Sequence, residues 1–174
     1  MSRYFPQAAH AEDQKLSKTL LAFHVLHRGF QTGAMAGAIT SIPAYYGAKL
    51  LPDKNPLKAR ILAQPFQRIL LKSTGLGAIA GTAILVVGLE AQMWGKEPIE
   101  WKDRSWRLRI NKGQMQCDDF ALLGTAAGLY LANTGDWKVK VGGAALGNVV
   151  GVADYMVWRY GMKGGVWKDK ETDL

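Results

Sequence analysis

Four stretches of this chain carry no charge, and each repeats a small residue at every fourth position. Residues 29–48 carry Gly29, Gly33, Gly37 and Ser41, and residues 73–89 carry Ser73, Gly77 and Gly81. Residues 120–135 carry Gly124, Gly128 and Ala132, and residues 141–153 carry Gly143, Gly147 and Gly151. Positions four apart share one helix face, so each stretch would present a stripe without bulky side chains. In water, glycine inside a helix costs about 1 kcal/mol relative to alanine. Between lipid tails, apolar burial gains little, and close backbone approach is what holds helices together. The stripes therefore predict an all-α integral membrane bundle of four helices, packed on Gly29, Gly33, Gly37, Gly77, Gly81, Gly124, Gly128, Gly143, Gly147 and Gly151. Within the last stripe, Val149 is expected to face away from Gly147 and toward lipid.

Length sharpens the expectation. A helix needs about 20 mostly apolar residues to cross the hydrocarbon core. The candidate spans are 29–51, 73–94, 119–135 and 138–158, in a single membrane domain. Between and around them lie a polar N-terminal segment (1–28), a polar loop (95–118) and a polar tail (159–174). The first run meets the length standard and the second sits at its lower edge. The third and fourth cross only if Trp137 and Asp154 lie near an interface or a protein contact. Short apolar runs can instead be buried helices of a soluble core. The tryptophans argue otherwise: Trp94, Trp137 and Trp158 flank runs, and Trp101, Trp106 and Trp167 lie in polar stretches. Aromatic flanks are what membrane interfaces select. Pro52 and Pro56 should end the first helix. Residues 58–72 suit a short basic surface helix, and 133–136 a tight turn.

The net charge of +8 suits nucleic acid, an anionic membrane surface or an acidic partner. Residues 90–119 hold six basic and six acidic side chains and three tryptophans. That balance describes a folded docking loop, not a nucleic-acid arm. Arg68, Lys72, Lys138 and Lys140 flank the runs and could hold anionic headgroups such as cardiolipin. Ordinary snorkelling would place them there too.

No catalytic, cofactor or metal site emerges. Gly75, Gly77 and Gly81 miss the G-x-G-x-x-G spacing of a dinucleotide loop, and no strand–helix alternation follows. The lone Cys117 excludes an internal disulfide. His24 and His27 are three apart with no third ligand nearby, which favours surface histidines over a metal pair. Asp118 and Asp119 are placed to open the third spanning helix, where a helix dipole welcomes negative charge. Asp154 and Glu90 stand at the ends of apolar runs. Asp154 could meet Lys49, Arg159 or a partner subunit, or simply mark a helix end.

The stripe at Gly29 to Gly37, the stop at Pro52 and Pro56, the tryptophan-rich stretch from Trp94 to Trp106, and the stripe at Gly143 to Gly151 together resemble the translocase (TIM) family of the mitochondrial inner membrane. The layout is also similar to fungal-type accessory subunits of respiratory complex I. That resemblance implies a non-catalytic, multi-pass inner-membrane subunit without cofactors, which binds hydrophobic subunits of a large complex and phospholipid. A component of a protein-import translocase or a small channel is the alternative. The termini and the long loop carry fourteen Lys and Arg against seven on the opposite side, which favours the matrix for the termini. The translocase resemblance implies the intermembrane space, and the two arguments stand opposed.

Overall fold

Prolines and side-chain caps divide the chain into helices. The computed structural model describes residues 8–132 and 136–162, apart from the side chain of Arg109. The helices are α1 (Ser17–Leu50), α2 (Pro56–Leu62), α3 (Phe66–Met93), α4 (Pro98–Ile110), α5 (Lys112–Leu131) and α6 (Trp137–Met156). A wider π turn, Val157–Met162, continues α6. Among the described residues there is no strand, so the fold is all-α and Gly75 to Gly81 lie inside α3.

Local chemistry explains the boundaries. α1 stops at Leu50, and α2 starts with Pro56 at its first position, where no amide hydrogen is needed. The Asn55 side chain caps α2 by accepting from the Leu57 N–H at 2.8 Å. Glu97 and Glu100 form a reciprocal capping box at the start of α4. Asn111 caps α5 by accepting from the Gln114 N–H at 3.0 Å, and Asp136 caps α6 by accepting from the Lys138 N–H at 3.0 Å.

Several expected boundaries move. α1 begins twelve residues before the first uncharged run, so most of the polar segment 1–28 that is described is helix. The expected loop 95–118 is α4 plus the first turns of α5. Asp118 and Asp119 therefore lie well inside α5, whose start is set by Asn111. Residues 133–135 of the expected turn, and the tail beyond 162, fall outside the described residues.

Two antiparallel pairs build the bundle, α1 with α3 and α5 with α6, and α3 joins them by running parallel to α6. Ala34, Ala78 and Ala145, all at 0% exposure, meet at the centre, with Phe30 and Val149 packed around them. Val149 thus supports the core and does not face lipid. A second cluster, Leu21, Leu89 and Met93, packs with Trp101 and Leu108 where α4 closes one end.

Much of the interior is small or polar, and many large aliphatic side chains point outward. Fully buried side chains include Asn148, Thr74, Ser41 and Ser105. Ile39, Ile42, Ile84, Val87, Leu123 and Leu129 are exposed. Thr32, Thr40, Thr74, Thr82 and Thr125 each donate to the carbonyl four residues back, at 2.7–2.8 Å. Their hydroxyls need no water. By length and hydropathy, α3 is the one helix among the described residues long and apolar enough to cross a membrane, with a mean hydropathy of 1.7 and only 17% of that window buried. The run in α1, expected to be the strongest span, falls short of that measure because Gln31, its hydroxyls and its glycines dilute its hydropathy.

Candidate functional site

The glycine stripes form the two seams of the bundle. Along α1 and α3, Gly29 lies over Gly81, Gly33 over Gly77 and Gly37 over Ser73. A Cβ added at Gly29 would stand 2.7 Å from the Gly81 carbonyl oxygen, inside any real contact. At Gly33, Gly37, Gly77 and Gly81 the overlap with the facing carbonyl would be worse. Along α5 and α6, Gly124 meets Gly147, Gly128 meets Gly143, and Gly151 meets Phe120 and Ala121. In both seams one index rises by four as the other falls by four, the register of two antiparallel helices in direct backbone contact.

A third contact was not anticipated. Gly142 lies on Leu71, and a Cβ on Gly75 would stand 2.8 Å from the Gly142 nitrogen. These two glycines join the hairpins through α3 and α6. Neither belongs to the four-residue spacing, so periodicity alone could not select them.

Beside the seams lies a buried polar junction. His24, His27, Arg28 and Gln31 share one face of α1, and Asp118 of α5 stands opposite. Arg28 donates to Asp118 Oδ1 at 2.6 Å and also to Gln31 Oε1. The Nδ1 atoms of His24 and His27 each lie 3.7 Å from Asp118. Asn148 of α6 donates through Nδ2 to Thr125 Oγ1 at 2.9 Å and faces His27 Nε2 at 3.0 Å. Gln114 Nε2 faces His24 Nε2 at 2.7 Å. With Nε2 accepting from an amide, each neutral ring carries its proton on Nδ1, toward Asp118.

Both ionisable ends of the junction precede the uncharged stretches of their helices. Burial alone would raise the Asp118 carboxyl. The His24 ring directed at it, then Arg28 and His27, outweigh that effect and hold it below the ordinary carboxylate value. Burial pushes the His27 imidazole below its usual value, with the Asp118 carboxylate opposing. The histidines are therefore not surface groups: the side chains of His24 and His27 are 17% and 8% exposed. One signal for this junction was present in the sequence, the i, i+3, i+4 and i+7 spacing of 24, 27, 28 and 31. Its partner lies some 90 residues away, out of reach of any local pattern. Among the described residues, no three His, Cys, Asp or Glu side chains converge as a metal site requires.

The other candidates scatter. Arg68 and Lys72 reach Asp136 at 3.3 and 3.6 Å, and Lys138 lies 5.7 Å from the Trp137 ring, all at the end of the bundle opposite Asp118. Lys140 lies on α6 in the same first turns. The cap bond from the Lys138 N–H, then Arg68 and Lys72, holds the Asp136 carboxyl below its ordinary value. Asp154 does not meet Lys49, which sits over the Tyr45 and Tyr46 rings at 4.9 and 5.1 Å at the far end. Asp154 and Glu90 are exposed. Cys117 is a buried free thiol whose pKa is raised, chiefly by burial.

These features define a small all-α bundle whose helices touch backbone to backbone through glycine and whose interior is locked by one polar junction. The chain belongs to the family described as a protein of unknown function (DUF1757), whose model matches residues 11–158. No curated protein and no solved structure matches it.

Proposed function

We propose that this chain is an integral, non-catalytic subunit that works by helix packing within a large membrane complex. The observation that carries the reading is the inversion of its interior. Along the glycine seams glycine, alanine, serine, threonine and asparagine are buried, while many isoleucine, leucine and valine side chains lie outside; Leu21, Leu89 and Met93 are buried at the α4 end. A soluble bundle hides its large aliphatic residues, because their burial supplies most of its stability, about 25 cal/mol per Å². A bundle in lipid has no such incentive and packs on small residues. Aromatic side chains at both ends add support, with Tyr45, Tyr46 and Phe66 at one and Phe120, Tyr155 and Trp158 at the other. The hydrophobic subunits of such a complex and phospholipid, including cardiolipin at Arg68, Lys72, Lys138 and Lys140, are the proposed partners.

The resemblance read from the sequence makes mitochondrial complex I the specific candidate, with this subunit stabilising its membrane arm. A second reading, a component of an import translocase or small channel, draws on the same resemblance. It also draws on a groove of about 410 Å³ lined by Gly124, Gly128, Gly143, Gly147 and Asp154. Carbonate extraction of mitochondria tests the shared premise: the chain should stay in the pellet, and its release would end both readings. Native gel electrophoresis then separates them. Co-migration with NADH dehydrogenase activity is the expected result, and co-migration with import machinery would overturn it.

A further inference from the structure

A polar cavity of about 430 Å³ opens at the Asp118 end of the bundle, between α1, the start of α5 and the end of α6. Arg28 and Arg159 line it, with Tyr155, Tyr160, Asn111 and Gly113, and the Asp118 carboxylate stands behind Arg28 at 2.6 Å. From the geometry we infer that this cavity binds the phosphate of an anionic phospholipid headgroup. The inference rests on the membrane reading above and goes beyond the lysines and arginines at the opposite end.

Three observations converge. The first is chemistry. Two guanidinium groups in one wall form the donor set that matches a phosphate oxygen fork. Arg28 is held in place from behind by Asp118 at 2.6 Å and by Gln31, so its planar head is pre-oriented. Arg159 is steadied over the Tyr155 ring at 6.0 Å. The second is the floor. Gly113 lies in the first turn of α5, where amide hydrogens have no carbonyl beneath them. A Cβ there would stand 3.2 Å from Tyr155 Oη and 3.3 Å from Arg159 Cζ. A Cβ there would make a tight contact that the two side-chain ends would have to relieve by shifting, so glycine keeps this backbone close to both polar heads.

The third observation is depth, and it selects lipid over free phosphate. Arg28 immediately precedes the uncharged stretch of α1, Cys117 stands just before that of α5, and Arg159 follows that of α6. Three helices change from apolar to charged at the level of this one cavity, which is where headgroups lie. Met156 and Tyr160, both in its rim, are 43% and 55% exposed, and the neighbouring Val157 is 66% exposed. They provide an apolar outer surface along which acyl chains can run.

The test uses the full chain in neutral detergent, with native mass spectrometry against dioleoylphosphatidylglycerol, dioleoylphosphatidylcholine and inorganic phosphate. One phosphatidylglycerol should bind in preference to phosphatidylcholine. Arg159→Gln should weaken it about tenfold, the scale of one charge-assisted hydrogen bond. Arg159→Lys keeps the charge without the fork and should lose less, which keeps the inference testable if the Gln variant folds poorly. Arg107→Gln, on α4 with a side chain 73% exposed and outside this cavity, should leave this binding unchanged. Equal binding of the two lipids, or wild-type binding by a folded Arg159→Gln, would overturn the inference. So would saturation by inorganic phosphate without preference for the anionic lipid, which identifies a soluble ligand. Release of the chain by carbonate sinks the membrane reading, whereas a retained chain indifferent to phosphatidylglycerol sinks only the cavity's role.

Discussion

At Gly147 the facing atom is a carbonyl oxygen of Gly124, and any side chain would overlap it. Gly147→Ile should therefore force the seam apart at a cost of about 1–3 kcal/mol or more, since overpacking is not relieved by apolar burial in lipid. The matched control is Val150→Ile, because Val150 is 50% exposed, whereas Val149 packs on the core alanines. The mutant should accumulate poorly in its complex while the control accumulates normally. Equal accumulation would remove the seam from the argument. Titration offers a second test at this scale. His27 is held below its unfolded value of 6.5 and Asp118 below 3.8. For both groups the unfolded chain takes up its proton first as pH falls, so stability is present above the unfolded value and is lost on acidification. Thermal midpoints in detergent should fall first below about pH 6.5, from His27, and again below about pH 4, from Asp118. In Asp118→Asn the second step should shrink, with Asp136 still contributing to it. A midpoint that rises on acidification would contradict the buried junction.

At the scale of helices, each hairpin is stitched along three register positions, but the hairpins meet over a shorter contact centred on Gly142 and Leu71. That contact should be the weaker joint. In Gly142→Leu, circular dichroism should report nearly unchanged helix content, because each antiparallel pair keeps its own seam. Thermal unfolding should broaden or divide into two transitions as the hairpins uncouple. A single sharp transition at the wild-type midpoint would show that this contact does not couple them. The polar junction spans the same boundary, since Asp118 of α5 and Asn148 of α6 both reach α1. Breaking it from one side exposes the other group's desolvation cost, about 3–5 kcal/mol for a buried ion pair that loses a partner. Asp118→Leu should thus be more damaging than Asp118→Asn, which still offers Arg28 an acceptor.

For the whole molecule, the helix directions make a topological prediction. If the α1, α3, α5 and α6 stretches all cross the bilayer, α2 and the start of α6 lie on one side. α4, the start of α5 and the π turn lie on the other. The single native thiol, Cys117, is buried, so introduced cysteines can be read cleanly. Asp53→Cys, at a side chain 97% exposed, and Lys96→Cys, at one 43% exposed, should label from opposite faces of sealed mitoplasts. Labelling of both from one face would reduce the number of crossings. The side reached by each reagent also resolves the conflict between charge distribution and family resemblance over where the termini lie.

What the sequence determined by itself was the set of faces. Glycine at every fourth position is a local property of a helix, so Gly29, Gly33 and Gly37, or Gly143, Gly147 and Gly151, could be placed on one stripe without knowing any partner. Pro52 and Pro56 likewise act through their own backbone, and they bound the first helix where expected. The start of α1 was hidden because Lys18, His24, His27 and Arg28 flank or interrupt the apolar residues from Leu20 to Leu26, and the stretch reads as a solvated segment until the partners of those polar groups are known. Those partners were decided only by the tertiary structure. His24, His27 and Arg28 look like surface residues in isolation, and Asp118 looks like a helix opener. Packing α1 beside α5 converts all four into one buried junction. The same holds for Gly75 and Gly142, whose closeness depends on how two hairpins lie together. Periodicity records which side of a helix is smooth, while the identity of its neighbour depends on contacts between residues far apart in the chain.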